Sequence, residues 1–297
     1  MMHGRKRNKP YVFNKTVIGA SHLKLDTKCQ DYSIAEINPT GTKNIEQQYA
    51  IAIVADGHGS ADYFRSDKGS RLACEASLNV VKRWMDKNPA IGINNNKGIK
   101  YLRENSNKSL EQLKKSILTL WHEKIEDDYS KEPFTQEELE AMPEKAKQKL
   151  DVNPSLYIKP YGTTLIVVVK HSKFWIALHI GDGKCVTYKK GGEPEQPIPW
   201  DERCFLNVTT SMSDEDALKR FRHYYSENHP DAIYIATDGV DDSYASDERL
   251  HNFYIKLTNS FIDTGAEQTV KELEAFLPIL SEEGSGDDIS IAGIVSL

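Results

Sequence analysis

The segment 49–59 reads Tyr-Ala-Ile-Ala-Ile-Val-Ala-Asp-Gly-His-Gly, and it constrains the fold more than any other stretch. Successive residues of a strand face opposite ways. Here both sets are apolar, with Ile51 and Ile53 on one side and Ala52 and Val54 on the other. Such a strand needs a covering layer on each face, so it belongs inside a sandwich. Further runs rich in Ile, Val and Tyr, all of strand length, occur at 32–37, 164–169, 174–180, 184–188, 232–237 and 288–295. The runs 174–180 and 184–188, joined by Gly181-Asp182-Gly183, predict a hairpin.

Helical periodicity lies between and after these runs. Leu72, Ala73, Ala76, Val80, Val81 and Trp84 recur near a 3.6 period behind Ser66, a good N-cap type. Leu110, Leu113, Ile117, Trp121 and Ile125 form a second stripe. Ser213-Asp214-Glu215-Asp216 resembles a capping box ahead of Leu218, Phe221 and Tyr225, which predicts a helix there. Two more stripes run from Leu250 to Phe261 and from Val270 to Leu280. Residues 86–108 carry Pro89, Gly92, Asn94, Asn95, Asn96 and Gly98 and read as a loop. Strands and helices come in runs of like kind, which favours antiparallel sheets with helices packed outside over a βαβ series. The segment from about 86 to 158 reads as an elaboration on one core covering 15–297, preceded by a basic tail at 1–14.

Composition excludes several classes. Of 297 residues, 39% are apolar and 28% charged, a globular balance. The net charge of −6 supplies no basic field for non-specific nucleic-acid binding. No apolar stretch is long enough to predict a membrane span, and Lys15, Lys24 and Asp26 interrupt any secretory apolar region. Cys29, Cys74, Cys185 and Cys204 form no Cys-x-x-Cys pair, so reduced thiols and a cytoplasmic location are expected.

The chemistry lies in where the aspartates fall. Asp56-Gly57 and Asp238-Gly239 each follow an apolar strand, Asp287-Asp288 precedes a third, and Asp182 sits between two glycines. Any one of these steps is ordinary turn chemistry. Together, from distant parts of the chain, they predict carboxylates converging at one end of a sandwich. Carboxylates without His or Cys partners form a hard-oxygen site suited to Mg²⁺ or Mn²⁺ rather than zinc. Two such ions acidify a water and stabilise in-line displacement at phosphorus.

The motifs Cys29-Gln30-Asp31, Asp56-Gly57-His58-Gly59, Gly162-Thr163-Thr164, Gly181-Asp182-Gly183, Thr237-Asp238-Gly239 with Asp242, and Asp287-Asp288-Ile289-Ser290 stand in the order of one family. The chain resembles the metal-dependent protein phosphatases of type 2C, from about Ile18 to Val295, and least over 86–158. The resemblance implies an α+β fold: a four-layer α-β-β-α sandwich of two antiparallel sheets with helices on both outer faces. It implies that the single domain hydrolyses phosphoserine and phosphothreonine on a protein substrate through a metal-bridged hydroxide. Asp56 would bridge two Mn²⁺ or Mg²⁺ ions, and the Gly57 carbonyl would bind one of them. Asp238 and Asp287 would hold the other ion, Asp31 would act through a bound water, and Asp182 would help Asp238 hold a looser third ion. His58 would be the general acid, an imidazole titrating near neutrality.

Two positions depart from the family. Many members carry an arginine for substrate phosphate five residues before the aspartate matched by Asp31, where this chain has Asp26. Gln30 replaces a common glutamate. His22, Lys24 or Lys28 remain as substitutes, and Ser21-His22 with Cys29-Gln30-Asp31 resembles a bacterial-type subset. The missing arginine leaves one alternative open, a phosphoprotein-binding regulatory module of the same fold with weak turnover. A calcineurin-like site fits only Asp56-Gly57-His58, since Cys185 stands where its next aspartate belongs. No Walker loop or His-Arg-Asp motif supports a kinase or nucleotide site.

Overall fold

The structure, a computed structural model, describes residues 9–38, 48–86, 95–152, 154–205 and 208–297. Arg5, Lys6 and Arg7 of the basic tail, and residues 87–94 of the expected loop, lie outside them. Nine strands are β1 (Tyr11–Val17), β2 (Asp31–Asn38), β3 (Tyr49–Asp56), β4 (Leu165–His171), β5 (Trp175–Ile180), β6 (Lys184–Tyr188), β7 (Arg222–Ser226), β8 (Ala232–Ala236) and β9 (Ile289–Val295) among the described residues. The helices in chain order are α1 (Ala20–Leu25), α2 (Ser66–Asp86), α3 (Asn96–Glu104), α4 (Ser106–Lys131), α5 (Gln136–Ala141), α6 (Glu144–Val152), α7 (Ala217–Arg220), α8 (Asp238–Asp241), α9 (Asp247–Asp263) and α10 (Ala266–Glu283).

The strands form two antiparallel sheets, ordered β1-β9-β8-β6 and β2-β3-β4-β5-β7. β3 behaves as its sequence dictates. Ile51 and Ile53 pack toward Leu72, Val81, Leu113 and Trp121 of α2 and α4. Ala50, Ala52 and Val54 face Ile233, Ile235 and Ile294 of the other sheet. α9 and α10 cover that second sheet through Leu250, Leu257, Leu273 and Leu277. The result is the expected α-β-β-α sandwich. Each large aliphatic side chain buried in it contributes roughly 1.5–3 kcal/mol.

Four local expectations give way. β5 and β6 do not pair as a hairpin: β5 lies between β4 and β7, β6 beside β8 in the other sheet, and Gly181-Asp182-Gly183 crosses between the layers. The helix expected after Ser213 stops at Arg220, and Arg222–Ser226 becomes edge strand β7. The expected loop 86–108 contains α3, whose N-cap Asn95 side chain accepts the Gly98 N–H. β1 occupies Tyr11–Val17, so the tail is shorter than the 14 residues read from charge.

Between 95 and 161, α4 packs along α2, and α6 packs against Pro154–Tyr161. A buried arginine ties α5 down. Arg65 donates to both carboxylate oxygens of Glu138 at 2.8 Å, to the Glu132 and Pro133 carbonyls and to the Tyr161 hydroxyl. A capping box of Thr135 and Glu138 fixes the start of α5 beside it. No helix among the described residues is long and apolar enough to cross a membrane.

Candidate metal centre

The predicted aspartates gather at one end of the sandwich because strand pairing aligns them. Asp31 at the start of β2 stands directly opposite Asp56 at the end of β3. The Gly162-Thr163-Thr164 turn then fixes the backbone of Asp56. Thr163 Oγ1 and the Thr164 N–H both donate to the Asp56 carbonyl at 2.8 Å, and the Asp56 N–H donates to Thr164 Oγ1 at 3.1 Å. Gly57 follows where only glycine fits, since a Cβ would lie 2.6 Å from the Ser66 carbonyl oxygen. β8 delivers Asp238 at the first turn of α8, and the crossing from β5 to β6 brings Asp182 alongside.

Oxygens of Asp56, Asp182 and Asp238 come within 4.8 Å of one another. Asp287 joins a neighbouring group with His22 and Asp288, again within 4.8 Å. Its charge is nonetheless felt at Asp31, Asp56 and Asp238. Asp31 is buried, and its carboxylate accepts from Thr237 Oγ1 at 2.7 Å. The sequence thus brings Asp31, Asp56, Asp182 and Asp238 together and sets Asp287 at their margin.

Asp288 does different work from its neighbour. Its Oδ1 accepts the Gly19 N–H and its Oδ2 the Gln30 N–H, both at 2.6 Å. His22 Nδ1 lies 2.9 Å from Oδ1. This carboxylate therefore ties the β1–β2 connection to β9. Of the three candidate substitutes for arginine, His22 alone borders this group. Lys28 pairs with Asp67 at 3.3 Å, and Lys24 is exposed on α1. Asp26 is also exposed, in the left-handed region at φ 53°.

Crowded anions pay electrostatically in this arrangement. Burial, with the charges of Asp238, Asp31 and Asp182 added, pushes Asp56 well above the usual carboxylate range. Burial and then Asp182 and Asp287 push Asp238 up to about 8. Asp31 and Asp287 are raised chiefly by burial as well. Asp241 on α8, raised to about 7 by burial, finds a partner in Lys184 at 3.3 Å. Such a donor set, all oxygen and short of cations, fits a hard divalent ion.

His58 follows Asp56 by two residues but sits on different terms. Its ring packs edge-on against Tyr63 at 4.6 Å, and its Nε2 is buried without a partner. Lys159 Nζ lies 4.6 Å from the Tyr63 ring centre and 3.1 Å from the Tyr63 hydroxyl. Burial and then the Lys159 charge push the imidazole down to about 4. The sequence-based expectation of an imidazole titrating near neutrality does not describe the free protein, where His58 is neutral at pH 7. Tyr63 and Lys159 went unnoticed in the sequence because neither belongs to a motif.

The family description "Protein phosphatase 2C" matches residues 18–278. The chain belongs to the protein phosphatase 2C family. Solved structures agree on the fold. PppA of Pseudomonas aeruginosa, described as a key regulatory component of T6SS, matches with a TM-score of 0.57 and 12% identity, over 98% of this chain and 99% of that one. The Mycobacterium tuberculosis serine/threonine phosphatase PstP/Ppp matches with a TM-score of 0.55 and 13% identity, over 96% and 98%. The catalytic domain of PstP, solved in complex with two manganese ions, matches at 0.56 and 13%, over 96% and 97%. No curated protein matches the sequence significantly.

Proposed function

We propose that this chain is a protein-serine/threonine phosphatase that uses two Mn²⁺ or Mg²⁺ ions, with a looser third, held by the strand-end carboxylates. The observation that carries the reading is the approach of Asp56, Asp182 and Asp238 to within 4.8 Å at a half-buried, anion-crowded sheet end. Asp56 would serve both principal ions, the Gly57 carbonyl would hold one of them, and Asp238 with Asp287 would hold the other. Asp182 and Asp238 would hold the third. Asp31, tied by Thr237, would orient a water of the cluster. Ions bound there would offset the phosphomonoester's charge and activate the attacking water.

The remaining work falls to the chain. The phosphate dianion, once beside His58, favours its protonated form. His58 then gives its ring proton to the departing serine or threonine oxygen. Tyr63 holds the ring in place for that transfer. Four free thiols accord with a reducing compartment, and we assign the chain to the cytoplasm, acting in signalling on phosphorylated proteins.

Release of phosphate from para-nitrophenyl phosphate and from a phosphoserine peptide in Mn²⁺ tests the proposal. Asp56→Asn and Asp238→Asn should each remove nearly all turnover while the fold is kept, because each relieves anion repulsion. Retained turnover in both variants contradicts the ligand set. Peptide binding without any turnover in the native chain favours the regulatory-module alternative raised by Asp26.

A further inference from the structure

We propose that the cavity beside His58 receives the substrate polypeptide on its leaving-group side and selects phosphorylated residues flanked by apolar and acidic side chains. The inference rests on the phosphatase reading above and names the substrate class of that site.

The cavity holds about 330 Å³, at the lower end of ordinary ligand pockets, and lies between the start of α6 and the turn after His58. Met142, Pro143 and Leu150 supply apolar wall, and Lys145 and Lys159 supply charge against the single carboxylate of Asp62. Lys159 belongs to both the cavity and the His58 surroundings, through its contact with Tyr63. Lys159 and then Tyr63 therefore connect the cavity wall to the proposed general acid.

In-line displacement fixes which side of the substrate arrives here. The attacking water and the leaving oxygen lie on opposite sides of phosphorus. The leaving serine or threonine oxygen must face its proton donor, so the polypeptide that carries it passes over His58. Tyr63, Lys159 and the cavity are what it meets there. The wall is preformed rather than loose, since Arg65, in the turn before α2, grips Glu138 of α5.

Charge decides what kind of polypeptide fits. The metal end is lined by carboxylates, and its Lys184 is already paired with Asp241. Neither Lys145 nor Lys159 is paired with a carboxylate among the described residues. An acidic residue flanking the phosphorylated one meets these two cations, while an apolar neighbour buries against Met142 and Leu150.

Two fluorescein-labelled phosphoserine peptides test this, one with Glu-Leu-Glu and one with Lys-Leu-Lys on both sides of the phosphoserine. We expect kcat/KM in Mn²⁺ to favour the acidic peptide by about tenfold or more in the native chain, one 1.4 kcal/mol step. Lys145→Glu should erase or invert that ratio when each rate is normalised to the same variant's para-nitrophenyl phosphate turnover. Leu150→Gln should lower both peptide rates relative to that small substrate. Equal ratios in the native chain and Lys145→Glu overturn the proposal. If the native chain turns over neither substrate, the phosphatase reading fails instead. Fluorescence anisotropy of the same peptides then decides the cavity: an acidic preference abolished by Lys145→Glu upholds it, and no preference overturns it.

Discussion

Two adjacent aspartates, Asp287 and Asp288, do unlike things, and the difference comes from where each side chain points off the start of β9. Asp288 is buried and satisfied by the Gly19 and Gln30 amides, whereas Asp287 stays at the margin of the carboxylate cluster. The motif made both residues visible in the sequence. It could not assign the roles, because the amides that select Asp288 lie some 260 positions away in the chain. His58 shows the same limit: the Asp-Gly-His-Gly motif exposed the residue, while its low pKa arises from burial and from Lys159. His58→Ala should slow a phosphoserine peptide by roughly 10²–10⁴-fold. It should affect para-nitrophenyl phosphate much less, since para-nitrophenolate leaves without a proton. Equal losses on the two substrates, measured by steady-state kinetics, would remove the proton-donor role.

At the scale of elements, what the sequence revealed tracks the strength of periodic burial. β3, β4 and β8 are buried along nearly their whole length, and their apolar runs announce them. β1 and β7 are half-buried, with Asn14, Lys15 and Thr16 in one and Arg222 and His223 in the other, so no alternation stands out. The Gly181-Asp182-Gly183 link misled for a different reason. A turn sequence reads alike whether its strands pair or part into separate sheets, and β6 finds its partner only in the distant β8. The placing of α5 rests on a contact that no local pattern discloses, the grip of Arg65 on Glu138 and the neighbouring carbonyls. Arg65→Ala should cost about 1–3 kcal/mol, because it leaves the half-buried Glu138 carboxylate and the Tyr161 hydroxyl without this donor. Hydrogen exchange should then quicken around α5 before it quickens in β3. Uniform change across both elements would show that the contact does not anchor α5.

For the molecule as a whole, two sheets hold a nest of carboxylates at one shared end, and folding without cations must bear their repulsion. Asp56 and Asp238 have folded pKa values raised above their unfolded ones, so the folded chain binds more protons than the unfolded chain between about pH 4 and pH 8. Stability in a chelator should therefore fall as pH rises through that window. Mn²⁺ should restore it most at the alkaline end, as read by thermal unfolding. A chelated chain equally stable at pH 5 and pH 8 would contradict this. The most direct test of the account is anomalous difference density from crystals soaked in Mn²⁺. Peaks are expected within about 2.0–2.6 Å of carboxylate oxygens of Asp56 and Asp238, the range for hard-cation contacts to oxygen. Density without any peak near those two side chains would contradict it.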